Sequence, residues 1–351
     1  MRRRGDVTRA AQLNTFLGWL MGKASQSEIG TGTGRTFRDH HAWCWNVKPL
    51  LPITGEVFDE IQLDGTYLTH GWCLLTAINS QGEIINWQWC NRETTAAYKA
   101  LIAPIPPPRV VVTDGGSGLP AALADLWPNT LVQRCLVHVQ RNIRTHVTTQ
   151  PRTDAGKGLR HLSLALTGIT TRDQAAEWIT TLNTWHQTYG HLLKARTYAA
   201  SKGAQRPTWA KANSTWWYTH HRLRRAYRLL ERLVKAGHLF TYLDEHLNGA
   251  GISSTTNRIE GGINASLKAL LRTHRGMLSQ HQRRAVDWWC YLHTPQPRPT
   301  PTSFITPEHW QTTTKPHNNP SHQDTTPGGW GTTPTPNEGL WTRKGWAGRF
   351  N

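Results

Sequence analysis

Apolar residues near the start of the chain recur at helical spacing. Ala11, Leu13, Phe16, Leu17, Leu20 and Met21 form one stripe, which predicts helical structure over about residues 8–46. The polar stretch KASQSEIGTGTG interrupts it, and RTFRDHHAWCW follows with Phe37, Trp43 and Trp45 as anchors. From Glu56 the pattern shortens. EIQLDGTYL, WCLLTAINSQG and EIINWQWCN are apolar runs separated by Gly or Asn turns, which predict three adjacent antiparallel strands. TTAAYKALIAPI then reads as a helix stopped by PIPPP, RVVVTD as a buried β-branched strand, GGSGLPAALADLW as a turn into a helix and TLVQRCLVHV as a further strand. From Pro151 to Asn248 the period is helical, as in Trp178, Ile179, Leu182 and Trp185 and again in Leu223, Tyr227, Leu230 and Val234. Another helix begins near Asn257, and after Leu292 the chain turns rich in Pro, Thr, Gly and His.

This order predicts an α/β fold with a mixed sheet. The organisation is an N-terminal helical segment over 1–50, the first part of a core over 51–150, an all-helical insertion over 151–250, final core helices over 251–294 and a largely disordered tail over 295–351. Helix, short turn and basic second helix in the first segment outline a helix-turn-helix reader, with an ordinary helical subdomain as the alternative.

Charge sharpens the picture. The 351 residues carry 40 Lys and Arg against 22 Asp and Glu, a formal net charge of +18. So large an excess predicts a polyanionic partner, most simply nucleic acid. It is also clustered: Arg196 to Lys235 contains ten Lys or Arg and one acid, Glu231. Arg222, Arg224, Arg225 and Arg228 crowd one predicted helix and are expected to contact DNA phosphates. Five cysteines without a C-x-x-C pair argue against a disulfide framework or a zinc ribbon. MRRRGDVTRA is not followed by an apolar core, and no apolar run is long enough for a bilayer, so no signal peptide or membrane partner is expected. The expected location is the cytoplasm, in association with the nucleoid.

A few acids stand out against this background. Asp64 lies inside a predicted strand, where burying its charge is costly without a partner such as a cation; the alternative is a strand-edge Asp facing water. Asp114 ends VVVTD and precedes Gly115, Gly116 and Gly118, a place where α/β sheets gather ligands and where glycines let a phosphate backbone approach. A turn or helix N-cap is its alternative. Two carboxylates on neighbouring strands and a third from a helix would form a hard oxygen site suited to Mg²⁺. Glu260 is the only acid between His246 and Ala285, among Arg258, Lys268, Arg272 and other cations. It reads either as a helix cap, with Asn257 completing a capping box, or as a metal ligand whose basic neighbours grip DNA. Cys135 and His138 read as a structural pair near the site, His138 bonding a carboxylate or phosphate, or as an ordinary buried pair.

LDGTYL, VVVTDGGSGL, RCLVHVQRNI and TTNRIEGGINASLK, in this order, resemble the Mutator-like superfamily of DDE transposases, bacterial insertion-sequence members included. The resemblance spans roughly residues 8–292. It implies a ribonuclease-H-like core with an all-helical insertion before the final acid. It implies Asp64, Asp114 and Glu260 as catalytic, metal-binding triad, Mg²⁺ or Mn²⁺ as cofactor in a two-ion site, and Cys135 and His138 as a signature pair. Arg258, Lys268 and Arg272 join the four helix arginines as expected DNA contacts. The expected activity is cleavage of element ends followed by strand transfer, on double-stranded terminal repeats and target DNA, by a homodimer or higher oligomer. A plain metal-dependent nuclease of the same fold and a catalytically inactive, transposase-derived DNA-binding protein are the rivals. Relatives often begin with a cysteine-paired zinc element, which this sequence lacks.

Overall fold

The computed structural model describes residues 2–29, 32–51, 54–68, 71–247, 249–295 and 301–311. Its centre is a mixed sheet built from β1 (Glu60–Tyr67), β2 (Cys73–Asn79), β3 (Ile84–Cys90), β4 (Val110–Thr113) and β5 (Leu131–Arg134). The strand order is β3-β2-β1-β4-β5. The first three strands form antiparallel hairpins, and β4 and β5 add in parallel beside β1. The expected α/β class with a mixed sheet is therefore observed.

Period-two alternation on β1 sends Ile61 and Leu63 to one face and Gln62, Asp64 and Thr66 to the other. The first face meets α4 (Thr95–Ile102) and α5 (Leu119–Leu126), where Tyr98, Leu101 and Leu123 join Leu75, Ala77 and Val111 in one core. Thr94 caps α4 by accepting from the Ala97 N–H at 3.3 Å. The second face carries Leu74, Ile78 and Ile84 against α10 (Asn264–Thr273) and α11 (Ser279–Leu292). Burying each such aliphatic side chain stabilises the fold by about 1.5–3 kcal/mol.

The N-terminal helices belong to that second core. α1 (Arg2–Met21) begins earlier than the apolar stripe implied and is followed by α2 (Gln26–Ile29) and α3 (Gly34–His41). Leu13, Phe16, Leu20 and Phe37 pack in one cluster with Ile263, Leu267 and Trp288, and the His274 ring meets the Leu20 carbonyl at 2.8 Å. The tail contributes as well. A 3₁₀ turn at Pro301–Phe304 and a short α12 (Glu308–Gln311) dock here, with Trp310 edge-on to Trp43 and Asn46 bonded to the His309 carbonyl. The rest of the segment expected to be disordered, 296–300 and 312–351, lies outside the described residues.

The segment expected to be an insertion, 151–250, holds α7 (Asp154–Ala165), α8 (Arg172–Lys194) and α9 (His221–Lys235), which pack with the preceding α6 (Leu136–Val147) around a separate core of Ile143, Leu159, Trp178, Trp185 and Leu230. It is not all-helical, which corrects the sequence expectation. β6 (Arg196–Tyr198) and β7 (Trp216–Tyr218) pair antiparallel between α8 and α9. The cause is local: Thr197, Tyr198, Trp216, Trp217 and Tyr218 favour extended backbone, and the Gly- and Pro-containing link between them cannot continue a helix. A second correction concerns TLVQRCLVHV. The strand ends at Arg134, and α6 starts at Leu136, because the Cys135 N–H is already bonded to the Thr113 carbonyl at 2.8 Å and the apolar spacing beyond it is helical. All five cysteines are free and buried. Among the described residues no helix is long and apolar enough to cross a membrane.

Candidate functional site

Asp64 occupies the middle of β1, paired with Thr76 of β2, and is 5% exposed. Its side chain lies on the polar face of the strand, where Glu60, Gln62 and Thr66 are also buried. Asn264, the first residue of α10, donates its amide to Asp64 Oδ2 at 3.2 Å. The Asp64 carboxyl is pushed well above the ordinary carboxylate range, first by burial and then by the charge of Asp114; His138 partly offsets this, and Glu93 and Glu260 add to it.

Asp114 directly follows β4, the parallel neighbour of β1. Its Oδ1 accepts from the Gly116 N–H at 3.0 Å, and its carbonyl accepts from the Arg134 guanidinium. The glycines after it are explained by protein packing rather than by space left for a phosphate backbone. Gly115 has φ +88°, and a methyl group there would lie 1.8 Å from the Arg134 guanidinium. At Gly118 it would lie 2.5 Å from the backbone of Thr94 and Thr95. At Gly116 it would strike the Tyr98 hydroxyl and Glu93.

Glu93 is an acid that the sequence pattern did not single out. It follows β3, accepts from the Tyr98 hydroxyl at 2.8 Å and sits so close to β1 that a methyl group on Gly65 would lie 2.7 Å from its carboxyl. The only available signal was an acid immediately before the TT cap of a helix, which ordinarily reads as a helix-dipole partner.

Glu260 has a different mount. It lies in a π-helical turn, Arg258–Ile263, that runs into α10. Asn257 makes no side-chain cap, so the capping box is not formed; the Glu260 N–H instead bonds the Thr256 carbonyl at 3.2 Å. Ile259, Ile263 and Leu267 are buried in the core beneath the sheet, and Glu260 points to α6. There Arg141 grips it with two nitrogens at 2.7 Å each, a bidentate fork, and His138 Nε2 stands 3.1 Å from Oε1. Burial alone would lower the His138 pKa; Cys135, then Asp114 and Asp64, outweigh it and raise the value to about 9. Cys135 Sγ accepts from the Thr256 N–H at 3.3 Å. The pair therefore ties the end of β4, the start of α6 and the turn bearing Glu260.

The donor chemistry here fits a hard divalent cation in kind: the buried Asp64 carboxylate, the half-buried Asp114 carboxylate, and beside Asp64 the Asn264 Oδ1, which is buried without a hydrogen-bond partner. The arrangement is not a finished cage. Among the described residues no three His, Cys, Asp or Glu side chains are gathered closely enough to hold one ion. Asp64 and Asp114 are brought together on neighbouring strands, while Glu260 is held by Arg141.

The basic candidates separate as well. Arg224 is anchored, bonded to the Leu193 carbonyl at 2.9 Å and stacked 3.9 Å over Tyr218. Arg222 bonds the Thr145 carbonyl and Arg228 pairs with Glu231 at 3.0 Å, both on the exposed side of α9. Arg224, Arg225 and Arg228 border a cavity of about 540 Å³ lined also by His146. Burial, then Arg225 and Arg222, lower the His146 pKa to about 4. Arg258, Lys268 and Arg272 are exposed on the π-helical turn and α10, Arg258 lying beside Gly82 in the β2–β3 turn.

Residues 105–199 match the model of the transposase family described as "Transposase, Mutator family". That stretch includes Asp114, Cys135, His138 and Arg141. The resemblance to the Mutator family holds. A curated relative, the "Probable transposase for insertion sequence element" of Corynebacterium diphtheriae, is 40% identical over 63 residues. The alignment covers 18% of this chain and 18% of that protein. The matched segment runs from β4 through α5, β5, α6, α7 and α8 to β6, whereas Asp64 and Glu260 fall outside it.

Proposed function

We propose that the protein is a DNA transposase of insertion-sequence type, with a ribonuclease-H-like core and a DDE site formed by Asp64, Asp114 and Glu260. One observation carries the reading: Asp64, buried on the central strand, lies close enough to Asp114, at the carboxyl end of the adjacent parallel strand, for the Asp114 charge to oppose its ionisation. A buried carboxylate beside a second, half-buried one is costly unless a cation joins them. The strand order supports the ribonuclease-H-like core.

Asp64, Asp114 and Glu260 would hold Mg²⁺ or Mn²⁺, as one ion or two. The bound metal supplies positive charge that activates an attacking hydroxyl and stabilises the leaving oxygen of a phosphodiester. The chain's own residues do the rest. Asn264 orients Asp64, the Gly116 N–H orients Asp114, and Arg141 with His138 holds Glu260. Lys268, Arg272 and Arg258 line the helix side, where Gly261 and Gly262 have no atom within 4 Å of an added methyl group and leave the backbone open to a phosphate. The partners are double-stranded terminal repeats and target DNA, and handling two ends calls for a homodimer or larger assembly. The helix-turn-helix reading of the first segment rests on α2 and α3, the latter presenting Arg35 and Arg38.

The fork on Glu260 favours a second reading, a transposase-derived protein that binds DNA without cutting it. Incubation with terminal-repeat DNA in Mg²⁺ separates the two. Transposase activity predicts nicking and strand transfer by the parent protein, both lost in Asp64→Asn and Asp114→Asn while duplex binding stays within about threefold. Binding without any cleavage by the parent protein would favour the second reading.

A further inference from the structure

A second, differently built site lies on the same face of the sheet as Asp64. A cleft of about 480 Å³ opens where the end of the N-terminal helical segment, the β2–β3 edge and α11 meet. Its wall is aromatic. The Arg283 guanidinium carbon stands over Trp72 and Trp89, 4.1 and 5.3 Å from their ring centroids, and His281 stacks on Trp45 at 4.2 Å with planes 5° apart. The wall is also locked. Asp287 Oδ1 accepts from the indole N–H groups of Trp87 and Trp89, at 2.9 and 2.8 Å, and its Oδ2 pairs with Arg284. That buried carboxylate is thus consumed internally, and among the described residues no carboxylate pairs with Arg283 or with Lys48 at the rim. The cleft therefore presents flat π surfaces backed by uncompensated positive charge.

Its position follows from strand register. Asp64 is opposite Thr76, which is opposite Trp87; Thr66 is opposite Leu74, which is opposite Trp89. Directly paired residues point to the same face, so the tryptophans stand two strand spacings from the Asp64 row, about 10 Å away. About three stacked base steps span such a distance. The site requires a ligand that is both anionic and flat, and a nucleotide with its base free of the duplex combines the two. We propose that this cleft binds unpaired nucleotides flanking the phosphodiester held at the carboxylates, stacking a base on the Arg283 plane, with Lys48 on a phosphate. This goes beyond the duplex contacts assigned above and rests on the reading of the protein as acting on DNA.

The test uses fluorescence anisotropy of the full chain with a blunt duplex and with the same duplex carrying a short single-stranded extension, 2-aminopurine marking the unpaired positions. The parent protein should bind the tailed duplex about tenfold more tightly and quench the 2-aminopurine, as base stacking on a side-chain plane does. Arg283→Ala should erase both effects and leave blunt-duplex affinity within about threefold. Arg283→Lys, which keeps the charge and loses the plane, should recover neither, and as a helix-compatible change it remains informative if the alanine variant folds poorly. Full preference and quenching in Arg283→Lys would reduce the cleft to a phosphate contact and overturn the proposal. Equal binding of both duplexes by the parent protein, without quenching, would overturn it while leaving the DNA reading intact. Binding of neither duplex would remove the DNA reading itself.

Discussion

The two mounts that carry the candidate acids differ in nearly every physical respect. The strand mount is crowded: Asp64 is buried, Gly115 and Gly118 are pressed against their neighbours, and the Asp114 charge opposes ionisation of Asp64. The helical mount is open and compensated: Glu260 sits in a π turn with two uncrowded glycines and is forked by Arg141. The contrast teaches that the strand acids are fixed by the sheet, whereas Glu260 is fixed by an ion pair. A π turn inserts an extra residue into the helical ladder and is a common feature of functional sites, and here it lies beside the one candidate ligand that is still paired elsewhere.

The largest difference between the mounts should appear at their glycines. Gly115→Ala combines a positive φ with direct overlap on Arg134 and should cost about 2–4 kcal/mol. Gly261→Ala meets nothing and should be neutral or stabilising by up to about 1 kcal/mol. Denaturant melts of the two variants check this, and comparable losses would erase the distinction. If DNA passes over the π turn, the alanine at 261 should still weaken duplex binding.

A smaller effect is expected at Glu260. Glu260→Gln keeps the side-chain length and loses the charged fork. A hydrogen bond to a charged group contributes about 1.5–3 kcal/mol, and partial exposure of Arg141 reduces that, so a loss of about 1 kcal/mol is expected at pH 7. Unchanged stability would mean that the fork is a surface contact without a holding role.

The smallest effects separate the mounts by pH. Asp64 has a raised pKa in the folded state, so its contribution is most favourable below the ordinary aspartate value of about 3.9 and is lost as pH rises. Without metal, Asp64→Asn should therefore be more stable than the parent protein at pH 7, and the gap should close toward pH 4. His138 behaves in the opposite range. Its pKa is raised to about 9, so its stabilisation is full below about pH 6.5 and is lost as pH climbs through 9. His138→Gln should lack that alkaline decline. Thermal melts across pH 4–10 test both signs, and a single shared window would mean that the two mounts are electrically one.

Much of this was legible in residue order. Alternation in EIQLDGTYL and three consecutive valines before Asp114 specify strands through local backbone preference and burial, so β1 and β4 appear where the pattern puts them. The solitary acids in basic surroundings were visible because charge composition is read directly. What the pattern missed is non-local. Glu93 is unremarkable in sequence and matters only because β3 brings it beside Gly65 and Gly116. The β6–β7 pairing depends on two segments that meet across a long link.

By itself the sequence determined the α/β order, the excess of positive charge and the short list of acids, since periodicity, propensity and charge are properties of neighbours along the chain. Only the tertiary structure decided that the glycines after Asp114 serve packing, that Glu260 is paired with Arg141 rather than capping its helix, and that three tryptophans and Arg283 form one cleft on the face of Asp64. Each of those depends on which distant side chains share a few ångströms of space, and no local preference encodes that.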